Sequence, residues 1–320
     1  MTSDAPRRLL LTGGSSGIGF EAARDLIARG HELTILCRNK ARAEQTLNAL
    51  SGKVQTLVCD LADLWAVERI TAELLVSGKP LDGLVLNAGL QYAGDPRPRW
   101  NHQGIELTVA VNHLAHQCIA MRLLPLLRRS SSPRLVITAS EVHNPDSGGG
   151  RVGRPAALGD LAGLRAGAGF LMLDGSARFD ADKAYTDSKL CNVLMARERA
   201  RQLDAALPVI GWSPGLVITP GGGFFRENRR RNPIGMAAFG FAARDLLRIT
   251  ETSESAGRLL AHLVTDNTVE PGFSYTRNRL VRRGVHQPEL AETSEEASDM
   301  HKATELWCLS QALIDRSLKV

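Results

Sequence analysis

Five short apolar runs limit what this chain can fold into. They are RLLLT (8–12), ELTILC (32–37), VQTLVC (54–59), LDGLVLN (81–87) and RLVITAS (134–140), and each of the first four leads into a segment with helical spacing. Runs this continuous suit strands buried on both faces. Strands alternating with helices build right-handed βαβ units, hence a parallel sheet covered by helices on both sides. The expected class is α/β, a doubly wound parallel sheet forming one domain over 1–320. From 141 to 182 the alternation stops, which predicts a long insertion before a helix over 183–204. Downstream, LPVIGWS (207–213) predicts a strand, 221–249 a mobile, partly helical cover with apolar and basic faces, 254–266 a helix, and GFSYT (272–276) a last strand. A capping box from Thr293 to Glu296 predicts the start of an extended C-terminal helix.

The turn after the first run is TGGSSGIG (12–19), with Gly13, Gly17 and Gly19 spaced by Ser15, Ser16 and Ile18. Glycines allow a tight turn and close backbone approach, and a helix N-terminus attracts a pyrophosphate. A plain strand-to-helix turn can have the same composition. The strand–turn–helix context favours a dinucleotide site in a Rossmann-like fold. At the end of the second run stand Arg38 and Lys40, and no carboxylate. A cation there suits a 2′-phosphate, which an acidic residue would repel, so the expected cofactor is NADPH/NADP+. Asp60 and Leu61 after the third run could hold an adenine, and Asn87, Ala88 and Gly89 end the fourth, where sheet ligands bind.

KAYTDSKLCNVL (183–194) places Tyr185 and Lys189 on one face of a helix. A nearby ammonium favours the phenolate, so the pair could be tuned for proton transfer. The motif alone is more often a surface Tyr and Lys on an amphipathic helix. With T-G-x-x-x-G-x-G, NAG, Asn112 and Ser140 in the same order, the chain resembles the short-chain dehydrogenase/reductase family. The resemblance implies an oxidoreductase with a tetrad of Asn112, Ser140, Tyr185 and Lys189. Ser140 would orient substrate, Tyr185 transfer a proton, Lys189 lower the tyrosine pKa and hold the nicotinamide ribose, and Asn112 support a relay water. It also puts Pro214, Gly215 and Thr219 of SPGLVITP beside the nicotinamide.

The second half is similar to the light-dependent protochlorophyllide reductases, through LGDLAGL, FDADKAYTDSKLCN, FFRE, SAGRLLAHLVTD and EEASDMHKATELW. That likeness implies light-driven transfer of a hydride from NADPH, followed by a proton, to a carbon–carbon double bond of a chlorin precursor. It makes Cys191, Tyr92 and Phe225 candidate substrate contacts, and Arg226, Arg229 or Arg230 partners for a substrate carboxylate. The subfamily's N-A-A-V-Y is here Asn87-Ala88-Gly89-Leu90-Gln91, with Tyr92 one place late. That departure keeps open a light-independent NADPH carbonyl reductase or alcohol dehydrogenase. From spacing alone Cys191 does not share a face with Tyr185, and a core thiol is the plainer reading.

A net charge of +5 suits an anionic cofactor and is too small to imply nucleic acid. Cys37, Cys59, Cys118, Cys191 and Cys308 contain no C-x-x-C pair, which argues against zinc and a disulfide framework. His113 and His116 lack a third ligand at suggestive spacing, so no metal is expected. No apolar stretch is long enough to span a membrane, and the expected location is the cytoplasm, with peripheral contact to a photosynthetic membrane open through the basic run RENRRRNP (226–233). The expected partner is a small-molecule substrate, and the oligomeric state is left open.

Overall fold

The structure is a computed structural model and describes residues 5–203, 206–218, 230 and 232–319. Six apolar runs become β1 (Arg8–Thr12), β2 (Glu32–Cys37), β3 (Val54–Val58), β4 (Gly83–Leu86), β5 (Leu135–Thr138) and β6 (Pro208–Ser213). With β7 (Gly272–Arg282) and β8 (Val285–Leu290) they form one sheet in the order β3-β2-β1-β4-β5-β6-β7-β8. All neighbours pair parallel except β7 and β8. The order reverses between β1 and β4, the place where open α/β sheets bind ligands.

Three helices follow the first three strands: α1 (Gly17–Ala28), α2 (Lys40–Ala49) and α3 (Leu64–Ser77). Between β4 and β5 lie α4 (Leu107–Val109), a π-helical turn (Ala110–Leu114), α5 (Ala115–Arg122) and α6 (Leu124–Leu127). The insertion carries a 3-10 turn (Glu141–His143) and α7 (Ala162–Ala166), then α8 (Ala181–Gln202) bears the Tyr–Lys motif. After β6 come α9 (Pro233–Phe241), a second π-helical turn (Ala242–Leu246) and α10 (Ser253–Thr265), and the chain ends in α11 (Glu295–Ser298) and α12 (Met300–Ser317).

The period of two explains why the strand runs are apolar throughout. Leu9 and Leu11 join Ile35, Val85, Val136 and Ile210 on the face covered by α1 and α10, with Ala22, Leu26, Leu260 and Val264. Leu10 joins Leu36, Leu84, Leu135, Ile137 and Val209 on the other face, beneath α3, α5, α8 and α12. Each fully buried Leu contributes about 1.5–3 kcal/mol of transfer free energy, so a polar residue on either face of these strands would be costly.

Four expectations change. The helical segment before β5 carries a π-helical turn within it and is interrupted at Leu123, just before Pro125 in α6. The last strand does not end at Thr276 but runs to Arg282 and turns at Gly284 into β8. This hairpin was hidden because RNRLVRRGVHQPEL is an edge pair rich in charge, without an apolar run. The C-terminal capping box is one residue off: Ser294 caps α11, accepting from the Ala297 N–H at 3.2 Å, and Asp299 caps a separate α12. Finally, much of the insertion is firmly packed. Ala156, Leu158, Leu161, Leu164, Phe170 and Leu173 are buried in the core shared with α8 and α12. Of the expected cover, 221–229 and 231 lie outside the described residues.

Candidate active site

The end expected to hold the cofactor starts at the tip of β1. Gly13 has φ +71, and a Cβ there would stand 2.8 Å from the Ala88 Cα and 2.9 Å from its N. A Cβ on Gly19 would meet the Asn87 Nδ2 at 2.6 Å. The β1 turn is thus pressed onto Asn87 and Ala88 with no room for a side chain. The N-cap of α1 is Ser16, exposed and making no side-chain capping bond. The helix therefore presents backbone N–H groups without a side-chain cap, a fit for a phosphate group. Ser15 and Ile18 are partly exposed on the same turn.

Arg38 directly follows β2 and is exposed, as is Lys40 at the first position of α2, while Asn39 between them caps α2 through the Arg42 N–H at 3.0 Å. Asp60 accepts from the Ala62 N–H at 3.0 Å, which shapes the turn, and the Leu61 side chain is buried. A ligand at this edge would meet the backbone of Leu61 and not its side chain.

Asn87 is a hub between strands. Its N–H and that of Ala88 donate to Thr12 Oγ1 at 2.9 and 3.0 Å, and its Oδ1 accepts from Thr138 Oγ1 at 3.1 Å. Thr138 Oγ1 in turn accepts from the Trp212 indole at 2.8 Å. Gly89 comes next, and a Cβ there would lie 3.6 Å from both Asn112 Oδ1 and Lys189 Nζ. These distances bring the β4 end, the π-helical turn and α8 to one point.

Asn112 sits within the π-helical turn and is fully buried. Its amide accepts from the Leu90 N–H at 2.8 Å and donates to the Leu90 carbonyl at 3.0 Å and to Ser188 Oγ at 3.0 Å. Ser188 Oγ donates to the Tyr185 carbonyl at 2.7 Å, so Asn112 braces the backbone of the Tyr185 turn. Single π turns inside α-helices recur at functional sites.

Lys189 is buried, with Nζ donating to the Thr138 carbonyl at 3.2 Å and lying 5.5 Å from the Tyr185 ring centroid. Burial lowers its pKa to about 8. Tyr185 keeps partial exposure, but burial raises its phenol to about 12. The lowered phenol expected from the Tyr–Lys spacing is therefore not found: Nζ lies over the ring, and desolvation dominates. Burial thus disfavours the charged form of both groups. Ser140 lies two residues beyond β5, partly exposed, with Oγ 3.5 Å from the Val142 N–H in the cap of the 3-10 turn.

Pro214 and Gly215 lie beyond β6. Gly215 has φ +79, and Asn278 of β7 donates to the Pro214 carbonyl at 3.3 Å and to Glu251 Oε2 at 3.0 Å. The candidates Thr219 and Phe225, with Arg226 and Arg229, lie outside the described residues. Arg230 is described and exposed.

Two candidate substrate contacts are buried in this structure. Tyr92 is buried, its hydroxyl donating to Glu106 and accepting from the Arg99 N–H at 3.1 Å. Its ring stacks 5.9 Å from that of Phe179. Cys191 has no exposed surface and lies in the main core, where burial pushes its thiol well up. Both are interior groups here. In the other direction, spacing considered His116 only as a metal ligand. It is buried and neutral, its pKa lowered to about 3 chiefly by burial. Its Nδ1 lies 3.0 Å from the Asn112 carbonyl and its Nε2 3.0 Å from Thr12 Oγ1. It joins the cofactor turn to the Asn112 turn, and no local signal marks it for that. No group of residues able to hold a metal is found among the described residues.

Residues 7–150 match the family described as short chain dehydrogenase. The chain is 33% identical to protochlorophyllide reductase A, chloroplastic, of Oryza sativa subsp. japonica, over 96% of this chain and 80% of that one. It is 32% identical to protochlorophyllide reductase of Avena sativa, over 96% and 99%. An uncharacterized protein from Mycobacterium paratuberculosis has the same fold, with a TM-score of 0.70 at 24% identity, covering 98% of this chain and 97% of that one. A short chain dehydrogenase from Shigella flexneri complexed with NADP superposes with a TM-score of 0.58 at 23% identity, over 84% and 95%. No helix among the described residues is long and apolar enough to cross a membrane. The word chloroplastic in the Oryza relative's name does not clearly match the cytoplasmic expectation.

Proposed function

The chain belongs to the short-chain dehydrogenase family and is an oxidoreductase, and on that footing we propose that it is an NADPH-dependent reductase of a carbon–carbon double bond in a protochlorophyllide-like pigment. The observation that carries this reading is the meeting of Gly89, Asn112 and Lys189 beside Tyr185, at the strand ends where a nicotinamide site belongs. Likeness to protochlorophyllide reductases over nearly the whole chain supports the choice of substrate class.

The glycine turn and the uncapped α1 terminus fit the pyrophosphate of the cofactor, and exposed Arg38 and Lys40 suit the 2′-phosphate of NADPH. Bound there, NADPH supplies the hydride. Tyr185 gives the proton from its hydroxyl to the neighbouring carbon, so the double bond gains both atoms. The phenol is protonated at neutral pH and so has that proton to give. Lys189 provides positive charge at the site when protonated, offsetting the phenolate formed. Asn112 and Ser188 hold the Tyr185 turn, and Ser140 orients the substrate.

A second reading is a light-independent NADPH carbonyl reductase using the same four residues. Inward-turned Tyr92 favours it, since no phenol follows the NAG stretch toward substrate. The deciding experiment mixes protein, NADPH and protochlorophyllide in darkness, then illuminates and records spectra. Appearance of a chlorophyllide band only in light supports the first reading. No conversion with NADPH bound moves the assignment to the second, to be followed with aldehydes and ketones. In either case Tyr185→Phe is expected to lower turnover by about 10²–10⁴-fold with NADPH affinity retained, and unchanged turnover would remove Tyr185 from the chemistry.

A further inference from the structure

One buried charged cluster on α8 is not used by the chemistry above. Lys183 and Asp187 are buried one helical turn apart, two residues before and two after Tyr185. At about 100° per residue, Tyr185 lies on nearly the opposite side of the helix from both. The Lys183 ammonium has three protons and three acceptors: Asp187 Oδ2 at 2.6 Å, the Ala157 carbonyl at 2.7 Å and Asp174 Oδ2 at 3.2 Å. Asp187 Oδ1 accepts from the Ala157 N–H at 3.0 Å. The pair on α8 thus grips both polar groups of one insertion residue and ties down a second, Asp174.

We infer that Lys183, Asp187 and Asp174 form a positioning clip that fastens the insertion to the back of α8 and so holds Tyr185 at the reacting point, an inference that rests on Tyr185 being the proton donor. A buried ion set seldom adds stability over an apolar contact of the same size. What it adds is register: an apolar patch tolerates sliding, whereas three directed hydrogen bonds and one return bond do not. The clip contacts the insertion from the side of α8 away from Tyr185, so these are positioning residues.

The test uses the full chain with Lys183→Met and Asp174→Asn. Three quantities are read: amide exchange across 155–176, NADPH affinity, and the alkaline titration of the Tyr185 phenol, taken as the absorbance difference from Tyr185→Phe. None depends on the substrate, so they stand whether or not the pigment assignment does. Lys183→Met is expected to speed exchange in the segment at least tenfold and to shift the Tyr185 titration to lower pH, with NADPH affinity within twofold. Asp174→Asn leaves the Lys183–Asp187 bond and should show the same changes, smaller. Where a substrate turns over, kcat falls more than KM rises. Faster exchange with an unmoved Tyr185 titration would reduce the cluster to a structural tie and overturn the inference. Unchanged exchange in both variants would overturn it as well. If Lys183→Met does not fold, Asp174→Asn alone decides between these outcomes.

Discussion

Removing one oxygen atom from Tyr92 separates an interior role from a substrate-contact role. Glu106 caps α4 by accepting from the Thr108 N–H at 2.9 Å and the Val109 N–H at 3.0 Å, and it takes a third bond from the Tyr92 hydroxyl. Glu106 is buried, and burial raises its pKa against the pull of those donors. Tyr92→Phe keeps the ring against Phe179 and under the Arg99 guanidinium, 4.6 Å from the ring centroid. It takes away one hydrogen bond to a buried carboxyl group, worth about 1.5–3 kcal/mol. It also strips the Arg99 N–H of its acceptor, at a cost of up to about 1 kcal/mol. The expected loss is therefore about 2–4 kcal/mol in urea denaturation, roughly a 3–6 °C fall in Tm for a chain of this size. Substrate KM should stay within a few-fold. A double-mutant cycle with Glu106→Gln should return most of the loss as coupling between the two positions. A variant of unaltered stability with a strongly raised KM would show that Tyr92 faces substrate, and the interior reading would be wrong.

Lys189→Met should trade activity for stability. A folded pKa of about 8 against 10.5 means that the folded protein carries a costly buried ammonium below pH 8. That difference is worth up to about 3 kcal/mol. Stability of the native protein rises as pH climbs from 8 to 10.5, so the advantage of Lys189→Met at pH 7 should shrink across that window in urea melts; a constant difference would contradict the assigned burial cost. Gly13→Ala puts a Cβ onto the Ala88 backbone at a positive φ. Strain and overpacking together should cost about 2–4 kcal/mol, and fluorescence titration should find NADPH binding weakened at least tenfold. Arg38→Glu should reverse the cofactor preference toward NADH in the same titration, and an unchanged preference would move the 2′-phosphate contact elsewhere.

Much of the sheet was legible in the sequence because its cause is local. Leu9, Leu10 and Leu11 must be buried on alternate faces whatever lies above them, so the apolar run itself announces a central parallel strand. Gly13, Gly17 and Gly19 were readable for the same reason: the positive φ of the first two and the lack of room for a Cβ on the third belong to the residue. The order of Asn112, Ser140, Tyr185 and Lys189 along the chain was sufficient to expect them together. The β8 hairpin was not legible, since an edge pair is held by its ladder and by ion pairs such as Arg277–Glu289 at 2.6 Å, which leave no apolar signature.

What the sequence by itself determined, then, is the layered α/β fold, and it supplied the positions proposed to carry a cofactor and a proton. Only the tertiary structure decided which way the ambiguous side chains turn. Tyr92 and Cys191 could each have faced a substrate, and both are interior. His116 and Lys183 looked ordinary, yet each bridges distant segments. The Tyr185 phenol was expected to be lowered by Lys189 and is instead raised by its surroundings. Backbone preference and hydrophobic period act over a few neighbouring residues. The partner of a buried polar group, and the water it loses, are set by whatever the fold brings beside it from elsewhere in the chain.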